Sequence, residues 1–237
     1  ALAIAEAAYG PDHPDVATNV GNLASVLREL GDLAGARRGF ERALSIAEAA
    51  YGPDHPTVAI RVSNLARALQ DLGDLTGARR GFERALAIAE AAYGPDHPDV
   101  ARNVNNLADV LQDLGDLAGA RRGFERALSI AEAAYGPDHP TVATCVSNLA
   151  SVLRELGDLA GARRGFERAL AIDEAAYGPD HPAVARDVNN LASVLQDLGD
   201  LAGARRGFER ALAILTTVWG PDHPHAVAVT QNLQTLK

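Results

Sequence analysis

Seven histidines, one cysteine and a recurring Asp-His pair are the residues of this chain best equipped for chemistry. The hexapeptide Tyr-Gly-Pro-Asp-His-Pro begins at Tyr9, Tyr51, Tyr93, Tyr135 and Tyr177, and returns at Trp219 with the aromatic residue changed. An imidazole beside a carboxylate suits metal ligation or proton transfer. The spacing argues against both. Successive copies in stacked helical units stand roughly 10 Å apart, whereas zinc takes ligands at ~2 Å. His13 and its equivalents are therefore expected at helix starts, bonding backbone or covering the Tyr ring, and only His223 and His225 are paired locally. Cys145 stands where other copies carry Asn19, Arg61, Asn103 and Asp187, which fits a chance substitution better than a nucleophile. There is no Gly-rich phosphate loop and no nucleophile in a recognisable elbow. No catalytic residue, metal site or cofactor is assigned.

A repeat positions these residues. The step is 42 residues without an insertion, and a fixed period of this size marks stacked supersecondary units, each touching its neighbours. Within residues 14–51, Pro14 suits the first turn of a helix, where a missing N–H costs nothing. Val16, Val20, Leu23, Leu27 and Leu30 fall within about 40° of one direction, an amphipathic stripe, flanked by Ala17 and Ala24. Gly31-Asp32 is expected to end this helix and cap the next. The second helix is predicted over Leu33 to Tyr51, with Ala36, Phe40, Ala43, Leu44, Ala47 and Tyr51 on its buried side. Gly39 inside it costs about 1 kcal/mol relative to Ala, and its recurrence at Gly81, Gly123, Gly165 and Gly207 predicts close backbone packing. Gly52-Pro53 stops the helix. The units run 14–55, 56–97, 98–139, 140–181 and 182–223, with partial units at 1–13 and 224–237, in a single domain over 1–237. The last unit diverges: Trp219 replaces Tyr, Thr216-Thr217 replace Glu-Ala, and Gln234 replaces a small Ala, as in a terminal cap.

Composition narrows the function classes. Apolar residues make up 47% and aromatics 5%, so the core is built from Ala, Leu, Val and Ile. The net charge of −9 argues against nucleic acid or an anionic membrane as partner. It is spread evenly, since residues 14–55 hold six acids and four arginines. No apolar run is long enough to span a bilayer and no secretory signal is present in this stretch. A single cysteine excludes an internal disulfide framework and fits a reducing, cytoplasmic setting. Lys237 is the only lysine among 22 Lys and Arg residues, a bias that, with abundant Ala and Gly, suggests a high-GC genome. The absence of Met points to a fragment or processed product.

Leu23-Ala24, Leu27, Ala36, Phe40 and Ala43 fall at the spacing of the tetratricopeptide (TPR) signature of small and large residues, and the chain resembles that family over its whole length. The unit length, the Asn-Leu-Ala triplet and the Gly-x-Asp-His-Pro-x-Val-Ala link are similar to the kinesin light chain subtype and to bacterial, actinobacterial-type arrays. The resemblance implies an all-α fold: a right-handed superhelical solenoid of TPR helical hairpins, five full hairpins plus half a hairpin at each end. The family is defined by its scaffold, so function has to be argued from surfaces.

The units differ mostly on the first helix. Positions equivalent to 18, 21, 22, 25 and 29 lie roughly 140–240° around from the apolar stripe, and the resemblance implies that this side lines a concave groove. The candidate protein- or peptide-binding residues there are Asn22; Asn64 and Arg67; Arg102, Asn105, Asn106 and Asp109; Asn148 and Ser151; and Arg186, Asn189 and Asn190. The Asn row (22, 64, 106, 148, 190, 232) can donate and accept, so it can bond the backbone of an extended peptide whatever its sequence, as the equivalent Asn does in related TPR proteins. The alternative is that these amides bond the neighbouring unit. An acidic row, Glu29, Asp71, Asp113, Glu155 and Asp197, runs beside them, with Arg67, Arg102 and Arg186 opposite and Arg61 near the rim. An extended segment between the rows would set its acidic groups on the arginines, which fork onto carboxylates. The alternative pairs the acids with Arg38-type residues of the adjacent helix.

The expected function is a protein- or peptide-binding scaffold rather than an enzyme, and the resemblance suggests the sensor region of a larger signalling NTPase. The alternative is a structural or self-assembling module, engineered or consensus-like, without a dedicated ligand. Head-to-tail self-association through the open ends belongs to that alternative. Neither nucleic acid nor membrane is an expected partner.

Overall fold

The computed structural model describes residues 2–236; Ala1 and Lys237, assigned above to the two partial units, lie outside them. Every regular element among the described residues is an α-helix. The chain divides into two compact units, one ending at Asp116 and one starting at Leu117. The first contains α1 (Leu2–Tyr9), α2 (Pro14–Glu29), α3 (Leu33–Tyr51), α4 (Pro56–Asp71), α5 (Leu75–Tyr93) and α6 (Pro98–Asp113). The second contains α7 (Leu117–Tyr135), α8 (Pro140–Glu155), α9 (Leu159–Tyr177), α10 (Pro182–Asp197), α11 (Leu201–Trp219) and α12 (Pro224–Gln234). None is long and apolar enough to cross a membrane.

Local chemistry sets these boundaries. Asp32 Oδ1 accepts the Gly35 N–H at 2.8 Å and so caps α3; Asp74, Asp158 and Asp200 do the same for α5, α9 and α11. Gly31, with φ of 85°, supplies the left-handed turn before that cap. The other kind of start is made by histidine. His13 Nδ1 accepts the Asp15 N–H at 3.2 Å, and its ring stacks on Tyr9 at 4.8 Å between centroids. The pattern recurs at His55, His97, His139 and His181. Both roles expected of these histidines are thus present together.

Packing explains why no hairpin stands alone. In the first unit Phe40 of α3, 2% exposed, packs with Ala24 and Leu27 of its own hairpin and with Leu65 and Ala68 of α4. Phe82 of α5 repeats this with Ala66 and Leu69 of α4 and Leu107 and Val110 of α6. In the second unit Phe166 of α9 joins Ala150 and Leu153 of α8 to Leu191 and Val194 of α10. Burying each phenyl ring contributes roughly 1.5–3 kcal/mol, and part of that burial is supplied by the next hairpin. The recurring glycine of the second helix is a close-contact site. A Cβ at Gly39 would fall 2.7 Å from the Cβ of Ala24, and Gly81, Gly165 and Gly207 face Ala66, Ala150 and Ala192 equally closely.

The apolar side departs from expectation at Tyr51, Leu30 and Leu23. Tyr51 is 45% exposed rather than buried, because it closes α3 and its ring lies on His55 instead of in the core. Leu30 is 77% exposed, because α2 ends at Glu29 and Leu30 is its C-cap. Leu23 and Val26 of α2 are also exposed, whereas Val110, Val152 and Val194, at the position of Val26, are fully buried. The flank of α2 is covered by α1, a helix of 8 residues where later second helices have 19.

Candidate functional site

In the first unit, α4, α6 and the end of α5 form most of the wall of a cavity of about 370 Å³. Asn64, Arg67, Arg102 and Asn106 line it. Asn22, exposed on α2, and half-buried Asn105 are not on its wall. The arginines are already engaged. Arg67 Nη1 donates to Asp109 Oδ2 at 2.7 Å and to Gln70 Oε1 at 3.1 Å, while Nη2 donates to Asn106 Oδ1 at 2.8 Å. Its guanidinium also lies over the Phe82 ring, 5.6 Å from the centroid. Arg102 pairs with Asp99 at 2.8 Å, one turn back on its own helix. Three arginines, Arg28, Arg67 and Arg102, reach this wall, each paired with a carboxylate: Asp71, Asp109 and Asp99.

The acidic row is bonded along the stack of first helices. Asp71 pairs with Arg28 at 3.6 Å, Asp197 with Arg154, and Asp113 accepts from Gln70 Nε2 at 2.6 Å. Each partner sits on the preceding first helix, not among the Arg38-type residues of the second helix. These bonds help hold the wall, and being part-exposed each contributes at most about 1 kcal/mol. Half-buried Arg61 is different. Its Nη2 donates to Thr18 Oγ1 at 2.9 Å, but its buried Nε has no acceptor, and burial pulls its pKa down. Gly21 makes room for it, since a Cβ there would fall 3.0 Å from Arg61 Nη1.

In the second unit, α10, α11 and α12 enclose a cavity of about 430 Å³. Arg186, Asn189 and Asn190 line it, together with Leu215, Trp219 and His225. Asn232 Nδ2 donates to Asn189 Oδ1 at 3.1 Å. At Asn106 and Asn232, then, the recurring amide bonds a neighbouring first helix while also facing a cavity. Asn148 and Ser151 are half-buried on α8 and do not line this cavity.

Behind Arg186 lies a group that the sequence did not reveal as a site. Asp173 of α9 is 2% exposed and Asp187 of α10 is 0% exposed. Arg186 Nε donates to Asp187 Oδ1 at 3.1 Å and Nη2 to Asp173 Oδ2 at 3.3 Å, while Ser147 Oγ of α8 donates to Asp187 Oδ1 at 3.0 Å. Asp173 Oδ1 and Asp187 Oδ2 have no partner. Burial first, and then the neighbouring Asp187 carboxylate, push the Asp173 carboxyl up to about 6, against the pull of Arg186. The signal was available: the second helix is not uniform, carrying Ala47, Ala89 and Ala131 at this position, then Asp173 and Leu215. Leu215 and Trp219, both departures from the repeat, mark the apolar side of the second cavity in the same way.

Other reactive groups are accounted for by burial. Cys145 is 5% exposed, and burial pushes its thiol up to about 11, which leaves it protonated and unreactive near neutral pH. No group of three or more His, Cys, Asp or Glu among the described residues could hold a metal ion.

Comparison with known proteins agrees with this geometry. The tetratricopeptide repeat family model matches four overlapping stretches, residues 17–69, 58–111, 102–164 and 145–217. No curated protein matches the sequence. Among solved structures, a protein of Podosopora anserina described as a kinesin light chain with nearly identical TPR-like repeats superposes with a TM-score of 0.70 at 23% identity, covering 87% of this chain and 98% of that one. BtubC (BKLC) of P. vanneervenii gives a TM-score of 0.73 at 26% identity, covering 89% of this chain and 84% of that one. Helical hairpins joined through Phe40-type contacts, close Gly–Ala crossings and a family match from residue 17 to 217 lead to one assignment: the chain belongs to the tetratricopeptide repeat family.

Proposed function

We propose that this protein is a scaffold that binds a protein or extended peptide on the inner faces of its first helices. The observation that carries this is the cavity of the first unit, where Asn64, Arg67, Arg102 and Asn106 converge. These side chains come from the helix face on which the units differ. Asn amides can serve a peptide backbone and arginines its acidic side chains. The favoured partner is therefore an extended segment with carboxylates. TPR proteins generally mediate protein interactions, which supports the reading at the level of the family. A cytoplasmic, bacterial setting and a sensing role within a larger signalling NTPase extend it on the strength of the sequence resemblance alone.

The test is selection of binders from a displayed library of random peptides, followed by affinity measurement on variants. Enrichment of acidic peptides whose affinity falls at least roughly tenfold with Asn64→Ala plus Asn106→Ala, a loss of about 1.4 kcal/mol, supports the proposal. Unchanged affinity in that double variant, or no enrichment, refutes it. A second reading, self-association, is favoured by the exposed Leu23 and Val26 on α2. A second copy covering that face would bury apolar surface such as Val110, Val152 and Val194, at the position of Val26, bury against their neighbours.

A further inference from the structure

Two buried carboxylates share one guanidinium at the wall of the second cavity. Asp173 and Asp187 are at least nine-tenths buried, and each keeps one oxygen without a partner. Unpaired buried acceptors of this kind are rare and costly. With both groups ionised, Arg186 faces two negative charges and neutralises one. A single proton held between the acids removes the excess charge and supplies the missing donor, which is how closely placed carboxylates behave as a coupled pair.

The surroundings leave the pair to titrate against Arg186 alone. On α8 the group bonded to the pair is the neutral Ser147 hydroxyl, and the Cys145 thiol of the same helix is kept protonated by burial. On α9 the neighbouring Glu174 is taken by Arg210 of α11 at 2.6 Å. On α12, His225 lines the same cavity as Arg186. The guanidinium is 45% exposed, so one side lies on the acids and the other on the cavity.

We infer that Asp173 and Asp187 form a one-proton site that governs Arg186: doubly ionised, they hold its guanidinium at the wall with two charges, and on taking up a proton they hold it with one, which loosens it towards a carboxylate of a ligand in the adjacent cavity. This rests on the cavity being a binding surface, as proposed above, and adds its regulation. Linkage makes the effect reciprocal. A carboxylate that draws Arg186 away raises the proton affinity of the pair, so binding takes up a proton, and acidic ligands bind more tightly as pH falls through the transition.

The test needs no natural ligand, so it stands or falls apart from the peptide selection. Carboxyl NMR titration of the full chain should show one step near pH 6, at the value to which Asp173 is raised. Across that step the Arg186 Nε–Hε heteronuclear NOE should fall, reporting a side chain that is held at about pH 8 and mobile at about pH 5.5. Acetate, as the carboxylate probe, should shift the Arg186 Hε signal with an apparent Kd roughly tenfold lower at the acid end. Asp173→Asn, which mimics the protonated acid, should abolish the step and leave Arg186, held by Asp187 alone, as loose at about pH 8 as the parent is at about pH 5.5. Titration of both acids in the ordinary carboxylate range, an NOE unchanged across the step, or acetate shifts that are absent or equal at both ends would each overturn the inference.

Discussion

Asp173 stands where α3, α5 and α7 carry alanine, and at that place a carboxylate costs stability. Its folded pKa is raised from 3.8 to about 6, so the folded chain keeps a proton that the unfolded chain has lost. Its contribution is therefore most favourable below the unfolded value, declines as pH rises through the interval between the two, and is fully lost above about 6. Asp173→Ala should accordingly raise the melting temperature at about pH 8, by the equivalent of about 1–3 kcal/mol for relieving a buried unsatisfied group, and the gain should shrink towards about pH 4. Thermal melts across that range check it; a variant no more stable than the parent at alkaline pH would show the acid to be well solvated. The sequence displays this substitution plainly, but its chemistry depends on Asp187, 14 positions along, being turned to meet it across α9 and α10. For the same reason Arg67, Asp109 and Arg186 could be named from their helix face, while the pairings could not: Asp109 meets Arg67 from the following first helix, and Asp173 meets Arg186 from the preceding helix.

At the scale of helices, the glycine in each second helix sets two terms against each other. Replacing Gly81 by Ala gains about 1 kcal/mol of helix propensity, but the new methyl would fall 2.7 Å from the Cβ of Ala66. Overpacking of this kind costs about 1–3 kcal/mol, so Gly81→Ala should destabilise despite its propensity. Combining it with Ala66→Gly reopens the contact, and a double-mutant cycle in denaturant should show a coupling of at least about 0.5 kcal/mol. Additive effects would mean that α4 and α5 shift apart at little cost. Recurrence alone was enough to predict this contact, and also the limits of the second helix at Leu33 and Tyr51 and the Asp32 cap, because propensity and capping act over a few residues. The side chains closing each helix were less legible. Leu30 and Tyr51 continue the apolar pattern in sequence, yet both sit at ends, one as a C-cap and one as a lid for His55.

For the molecule as a whole, the balance of charge and apolar surface bears on association. A net charge of −9 opposes self-association at low salt, while the exposed Leu23 and Val26 favour it. The self-association reading therefore expects sedimentation velocity to show a dimer or larger species that grows with salt and protein concentration and is lost with Val26→Glu. A monomer at the highest attainable concentration in high salt would remove that reading. The repeat length, helix limits, caps and close Gly–Ala crossings of this protein could all be read from the amino-acid order, because each is dictated by residues within one unit or by an unvarying copy in the next. Which arginines were already paired, which oxygens were left without a donor, and which of the differing positions came to share a cavity were decided by folding alone. Those properties belong to side chains on different helices, many of them about 40 residues apart, and their partners are set by how one helix lies on another, which no local periodicity records.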